Sequence, residues 1–285
     1  MGITGSNKGI GLQVVRVLCR HFGQDGIVYL TARNEGRGLA AVELLQKEGL
    51  NPKFHLLDIS DQANIDRFRD DLEKEHGGID ILINNAAVYL RGFNPEIPLD
   101  EESVQTIKVN FFGLRDVCKS LFPLVRSGGR IVNVASWLGY RLFEEELSDG
   151  MKERIRRIQA EEDIVELMND FMSACKMDKI EESGWAPFPY EVSKLGVILL
   201  TINQASLMSR DNTKNDVIIN SCCPGFVDTD MTSNIDPRVP GFPKLSVAEG
   251  ADTPVYLALL PPGTKDMHGN FVMNRKPFCH GLTPL

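Results

Sequence analysis

Met1-Gly2-Ile3-Thr4-Gly5-Ser6-Asn7-Lys8-Gly9-Ile10-Gly11 opens the chain, and its reading decides the fold. Gly5, Gly9 and Gly11 make Gly-x-x-x-Gly-x-Gly, and Leu12, Val15, Val17, Leu18 and Phe22 follow as the apolar stripe of a helix. Glycines here allow a tight turn and bring backbone N–H groups up to a phosphate at the helix N-terminus. Asn7, Lys8 and Ile10 stand in the same turn and join its glycines as cofactor-binding candidates. A strand should precede the turn. Only about three residues are available for it, against ~5–6 in an ordinary strand. The first strand therefore reads as clipped, which leads us to expect an earlier start to the native chain, or weak cofactor binding.

Outward from the turn, apolar runs and amphipathic runs alternate. Residues 27–31 read as a buried strand ending at Ala32-Arg33-Asn34, and 38–47 as a helix. Residues 54–58 read as a strand closed by Asp58-Ile59, and Asp61 caps a helix running to about residue 76. Residues 79–83 are a strand ending in Asn84-Asn85-Ala86-Ala87, and a helix over 101–122 carries Asn110 in its middle. Residues 130–135 are a strand with Ser136 at its carboxyl end. Strand 217–223 runs into Pro224-Gly225-Phe226-Val227-Asp228-Thr229, followed by a helix over 247–260 and a short strand over 270–273. This spacing predicts βαβ units and a doubly wound (Rossmann) α/β fold, a parallel sheet of about seven strands with helices on both faces. Ligands on such sheets bind beyond the carboxyl ends of the strands, where Gly5, Arg33, Asp58 and Asn84 fall. An acid at the end of the second strand would grip the ribose of NAD. Arg33 stands there instead, with Lys8 in the glycine turn, and two cations suit a 2′-phosphate, hence NADP.

Tyr190-Glu191-Val192-Ser193-Lys194 follows the breaker run Ala186-Pro187-Phe188-Pro189, so a helix is expected to begin near Tyr190. Residues i and i+4 share a helix face, which points the phenol and the ammonium the same way. A fixed cation lowers a phenol's pKa from about 10. The pair reads as a tuned general acid/base. Taken alone it reads better as a surface tyrosine beside a solvated lysine; the rest of the chain supports the functional reading. Asn110 is a mediocre helix former; it serves either a neighbouring turn or a water near the lysine.

The composition suits a globular protein: 42% hydrophobic and 25% charged over 285 residues, enough for one large α/β domain or two small ones. A net charge of −8 argues against a nucleic-acid partner. The six cysteines show no Cys-x-x-Cys spacing, so we expect no metal site and thiols in a reducing cytoplasm. Cys222-Cys223 is either a redox-sensitive pair or two buried strand residues. No run of 18 apolar residues predicts a membrane span, and neither a secretory pattern at the start nor an address motif at the end is read.

Thr4-Gly5-x-x-x-Gly9-x-Gly11, Asn84-Asn85-Ala86, Asn110, Ser136, Tyr190-x-x-x-Lys194 and Pro224-Gly225 together resemble the short-chain dehydrogenase/reductase family, in that family's order over nearly the whole chain. Asn7 to Gly11, Asn110-Phe111-Phe112-Gly113, Cys222-Cys223-Pro224-Gly225 and the run 253–262 are similar to the animal NADPH-dependent carbonyl-reductase branch. The family usually has glycine where this chain has Ala87. The resemblance implies one reductase domain over 1–285 that takes NADPH and a small-molecule carbonyl substrate. It implies Asp58 on the adenine amine, with Ile59 beside it, and Asn84 and Asn85 at the ribose. Pro224 and Gly225 join the cofactor contacts, with Val227 and Thr229 on the carboxamide. It makes Ser136, Tyr190, Lys194 and Asn110 the catalytic set: Ser136 bonds the carbonyl, Tyr190 delivers the proton, Lys194 lowers the tyrosine pKa and bonds the ribose, and Asn110 holds a relay water. Family members have about a dozen residues between this serine and tyrosine. Here a long insertion, about 138–188, carries Ile155, Ile158, Ile164, Val165, Leu167 and Met168 at helical spacing. The carbonyl-reductase branch has a similar insertion over the face used for oligomerisation, which implies a monomer. Trp137, Leu138, Trp185 and Phe226 either line an apolar pocket mouth or belong to the core. Rival readings are a narrower hydroxysteroid or prostaglandin dehydrogenase and an NADP-binding redox sensor without turnover.

Overall fold

A computed structural model describes residues 1–235, 243–278 and 282; Cys279 and residues 283–285 lie outside them. Eight strands among the described residues form one sheet in the order β3-β2-β1-β4-β5-β6-β7-β8. They are β1 (Gly2–Ile3), β2 (Tyr29–Ala32), β3 (Lys53–Leu56), β4 (Ile79–Asn84), β5 (Val125–Val134), β6 (Ile218–Cys223), β7 (Phe271–Met273) and β8 (Lys276–Pro277). All neighbours pair in parallel except β7 and β8, whose hairpin adds an antiparallel edge to the seven strands expected. The order reverses between β1 and β4, where a doubly wound sheet opens its ligand crevice.

Alternation along the strands covers both faces. On β4, Ile81 and Ile83 face helices α1 (Gly9–Phe22), α2 (Glu35–Lys47) and, later in the chain, residues 247–258, whereas Leu82 faces α3 (Gln62–His76) and the helices that follow; Ile79 joins Leu82 because the register shifts between Ile79 and Ile81. The helix expected over 101–122 begins at α4 (Leu99–Ile107), passes through a π turn (Lys108–Gly113) and resumes as α5 (Leu114–Leu121). Asn110 sits in the π turn. Such a widened turn is a frequent mark of a functional site.

The insertion is helical, as its periodicity predicts: α6 (Trp137–Arg141), a second π turn (Leu142–Glu146), α7 (Asp149–Arg156) and α8 (Glu161–Lys176). Ile155, Ile164, Leu167 and Met168 are buried in one cluster with residues of α9 (Pro189–Arg210). Covered by the sheet on one side and α8 on the other, α9 is buried without a break from Val192 to Ala205. By length and composition it would cross a membrane, but 67% of its apolar window is buried within the protein. A helix apolar all round is what a central position demands. The last helix among the described residues, α10 (Val247–Ala258), starts at a Ser246–Glu249 capping box.

Candidate active site

The two-residue strand β1 is held by side chains as well as by its ladder. Ser6 Oγ and Thr31 Oγ1 both donate to the Ile3 carbonyl, at 2.8 and 2.9 Å. Thr4 Oγ1 accepts from the N–H groups of Asn85 and Ala86 at 2.9 and 3.0 Å. Asn85 Nδ2 donates to the carbonyls of Thr4 and Gly5, both at 3.1 Å. These bonds fix the glycine turn against the end of β4. Gly5 and Gly9 have φ of 60° and 55°, the left-handed region that favours glycine. A Cβ on Gly11 would lie 2.6 Å from Asn85 Nδ2 and 2.8 Å from the Ser6 backbone. Close packing at Gly11 and the left-handed turn leave a cradle of backbone at the start of α1, which fits a diphosphate.

A cleft of ≈ 660 Å³ opens from this cradle along the carboxyl ends of the strands. From the N-terminal half it is lined by Gly5, Asn7, Lys8, Gly9, Ile10 and Gly11, with Arg33, Asp58, Ile59 and Asn85 beyond them. From the C-terminal half come Tyr190, Lys194, Pro224, Gly225, Val227 and Thr229. Ala87, where the family usually has glycine, also lines it and is not among the residues of positive φ, so its methyl strains no backbone.

Three expected positions differ in detail. Asn84, expected at the ribose, lies behind the wall: it is 2% exposed, and its Nδ2 donates to Asn133 Oδ1 at 2.8 Å and Cys118 Sγ at 3.2 Å. The last residue of β4 still obeys the strand's alternation, so its side chain meets the β5 neighbour. Lys8 reaches across the cleft mouth to Asp230 at 2.7 Å, so it is not given over to Arg33's neighbourhood. Asn110, expected to hold a water, has both amide protons in use, one on the Val88 carbonyl at 2.9 Å and one on Ser193 Oγ at 3.0 Å, while its Oδ1 accepts from Val88 N–H at 2.8 Å. Sequence reading also missed Arg37, which lines the cleft with Arg33 and Asn34. Its signal was present: Arg37 stands in the first turn of α2, one helical turn beyond Arg33.

On the side of the expected catalytic residues, Ser136 caps α6 by accepting from Leu138 N–H at 3.2 Å, and its side chain is near enough to the Tyr190 phenol to influence its pKa. Lys194, 3% exposed, donates from Nζ to the Val134 carbonyl at 2.8 Å. The same Nζ lies 5.6 Å from the Tyr190 ring centre. Burial pushes the Lys194 ammonium down to about 8. Burial also pushes the Tyr190 phenol above its ordinary value, and the neighbouring Cys223, Glu191 and Tyr89 push the same way, while the Ser136 hydroxyl pulls it back. This corrects the expectation of a lowered phenol: desolvation is the largest influence on both groups. The phenol is protonated at neutral pH, as an ordinary phenol is, and in that state it can give up a proton.

Trp185 is 3% exposed and packs edge-on to Phe171 at 5.2 Å, a core residue of the insertion. Trp137, Leu138 and Phe226 remain half-buried. Cys222 and Cys223 are free and buried in β6, and burial raises both thiols.

The short chain dehydrogenase family profile matches residues 1–146. The chain belongs to the short-chain dehydrogenase family. Carbonyl reductase (NADPH) 3 of Rattus norvegicus is 44% identical over 274 residues, which cover 96% of this chain and 95% of the relative. Carbonyl reductase (NADPH) 1 of Homo sapiens is 44% identical over 275 residues, with the same two coverages, 96% and 95%. Among solved structures, salutaridine reductase from Papaver somniferum superposes with a TM-score of 0.79 at 27% identity, covering 95% of this chain and 98% of the other. Menthone neomenthol reductase from Mentha piperita gives 0.73 at 25% identity, covering 96% and 98%.

Proposed function

We propose that this chain is an NADPH-dependent carbonyl reductase that reduces apolar or aromatic aldehydes, ketones or quinones to alcohols. The observation that carries the reading is Tyr190 in the cleft lining with the buried Lys194 ammonium 5.6 Å from its ring centre. Bound NADPH supplies the hydride. Ser136 donates a hydrogen bond to the substrate carbonyl oxygen and orients it toward the phenol. Tyr190, protonated at neutral pH, transfers its proton to that oxygen as negative charge develops there. The Lys194 ammonium, close to the ring in a water-poor site, stabilises the phenolate that remains. The glycine turn from Gly5 to Gly11 would hold the diphosphate, and Arg33 with Arg37 the 2′-phosphate. Asp58 offers the adenine one oxygen, since its Oδ1 already accepts from Ser60 N–H and Ser60 Oγ at 2.9 and 2.7 Å. Asn85, Pro224, Gly225, Val227 and Thr229 complete the wall.

We read residues 1–285 as one domain. We further infer a monomer, because α8 occupies the outer sides of α4 and α9 that would otherwise be free for a second copy. The five buried thiols among the described residues fit a reducing cytoplasm. The test is loss of NADPH absorbance with menadione and with a simple aromatic aldehyde, with NADH in parallel. Turnover that prefers NADPH supports the reading. Tight NADPH binding with neither carbonyl consumed would replace it with a non-turnover sensor.

A further inference from the structure

We infer that Tyr89 is a specificity-determining wall of the reacting centre, one that favours planar conjugated carbonyls, such as quinones, over bulky saturated ring ketones. The inference rests on the carbonyl-reductase reading above and assigns one residue the choice among the carbonyls that reading covers.

The Tyr89 ring meets the Tyr190 ring edge to face, with centroids 5.2 Å apart and planes at 66°. This is the preferred geometry of an aromatic pair. Tyr190 lines the cleft, and Tyr89 packs against its ring from outside that lining, which we take as the substrate side of the phenol. It is half-buried, which leaves part of the ring exposed.

The ring is held in place from both sides of the chain. Just before it, Val88 is bound through both its N–H and its carbonyl to the Asn110 amide, at 2.8 and 2.9 Å. The same amide donates to Ser193 Oγ at 3.0 Å, and Ser193 Oγ donates to the Tyr190 carbonyl at 2.6 Å. One buried polar bridge therefore fixes the backbone before Tyr89 relative to the backbone of Tyr190. Just after it, Arg91 donates from Nε and Nη2 to Glu102 Oε2 at 3.0 and 2.7 Å, and the Glu102 side chain is 2% exposed. Gly92 makes room for the ring: a Cβ there would lie 2.6 Å from Tyr89 Cδ1. The Gly92 carbonyl accepts from Asn234 Nδ2 at 2.9 Å, tying this loop to the segment after β6.

On that placement, a carbonyl that reaches the phenol passes a ring whose backbone is pinned on both sides. A flat π system fits beside such a ring and gains from contact with it. A thick saturated ring system meets it as an obstruction. This gives the buried Asn110 side chain a role as a positioning residue that acts through the loop.

The test compares menadione with 2-decalone in the parent, Tyr89→Ala and Tyr89→Phe. Tyr89→Ala should raise KM for menadione about tenfold with kcat little changed, and should raise kcat/KM for 2-decalone, as expected for loss of one aromatic contact. Tyr89→Phe keeps the ring and should stay within about twofold of the parent on both. NADPH affinity should be unchanged in all three. Equal changes for both substrates, or Tyr89→Phe behaving like Tyr89→Ala, would overturn the inference. A second readout needs no turnover: menadione binding to the NADP⁺ complex, read by quenching of intrinsic fluorescence, should weaken in Tyr89→Ala by the same factor. Unchanged binding also overturns it. If the parent binds menadione through Tyr89 yet oxidises no NADPH, the reductase reading fails while the wall stands.

Discussion

The two walls of the cleft are made of different material. On the nucleotide wall, Gly5, Gly9 and Gly11 offer backbone, and Arg33 and Arg37 offer exposed charge. On the catalytic wall, Lys194, Ser193 and Asn110 are buried, and each is bound to a named partner at 3.0 Å or less. Exposed charges on the first wall act at a distance, weaken with salt and tolerate adjustment. Buried bonds on the second set distances near the reacting atoms, where small displacements are costly. The contrast suggests one wall specialised for binding and the other for chemistry, and substitutions on each wall should fail differently.

The largest effect is expected where the catalytic wall has no slack. Helix α6 touches α9 backbone to backbone at Gly139: a Cβ there would lie 2.5 Å from Leu195 N and 2.6 Å from Lys194 C. Gly139→Val should force the two helices apart, move Ser136 from Tyr190 and lower kcat/KM about 10²-fold, with NADPH affinity nearly kept. A variant that loses NADPH binding in proportion would erase the distinction between the walls.

Next is the cost of burying Lys194. Its ammonium titrates at about 8 in the folded chain against an ordinary 10.5, so the unfolded chain binds more protons between those values. Stability should therefore rise with pH across that window. Measured against Lys194→Met by denaturant unfolding, the parent's relative stability should climb from pH 8 to 10.5 by roughly 3 kcal/mol. A flat difference would mean that the ammonium is not desolvated.

On the nucleotide wall the effects are smaller and salt-dependent. Arg33→Ala should weaken NADPH about tenfold at low salt, less at high salt, and leave NADH unchanged. Smallest is Asp230→Asn. Its partner Lys8 is 58% exposed and Asp230 is 69% exposed, so the pair adds little to stability. Freed from it, Lys8 should tighten NADPH by no more than about fivefold. Equilibrium titration of cofactor fluorescence reads both.

The nucleotide wall was the more legible of the two in sequence. Glycine spacing and strand ends are local signals, and Gly5, Arg33 and Asp58 follow from them directly. The Tyr190–Lys194 pair was also legible, because a proline run and a four-residue spacing are local. What was not legible depends on partners far along the chain. Asn84 and Asn85 are adjacent and identical, yet strand alternation sends Asn84 to Asn133 and leaves Asn85 at the glycine turn. Lys8 and Asp230 are 222 residues apart. The direction of the Tyr190 pKa could not be read from Lys194's spacing, since burial, which only the packed helices reveal, is the largest influence on the phenol. The helices of the insertion were visible in their apolar period, whereas the place of Tyr89 was not, because two loops and a π turn fix it together.

The most direct measurement is Tyr190→Phe, assayed for NADPH binding and menadione reduction in the same preparation. The substitution removes one oxygen from the catalytic wall and leaves the ring against Tyr89. The account predicts NADPH binding within about threefold of the parent and turnover reduced by about 10²–10⁴-fold, the worth of a positioned general acid. Retained turnover would contradict it, because the proton would then come from elsewhere. Lost NADPH binding would also contradict it, because the two walls would then not be separable.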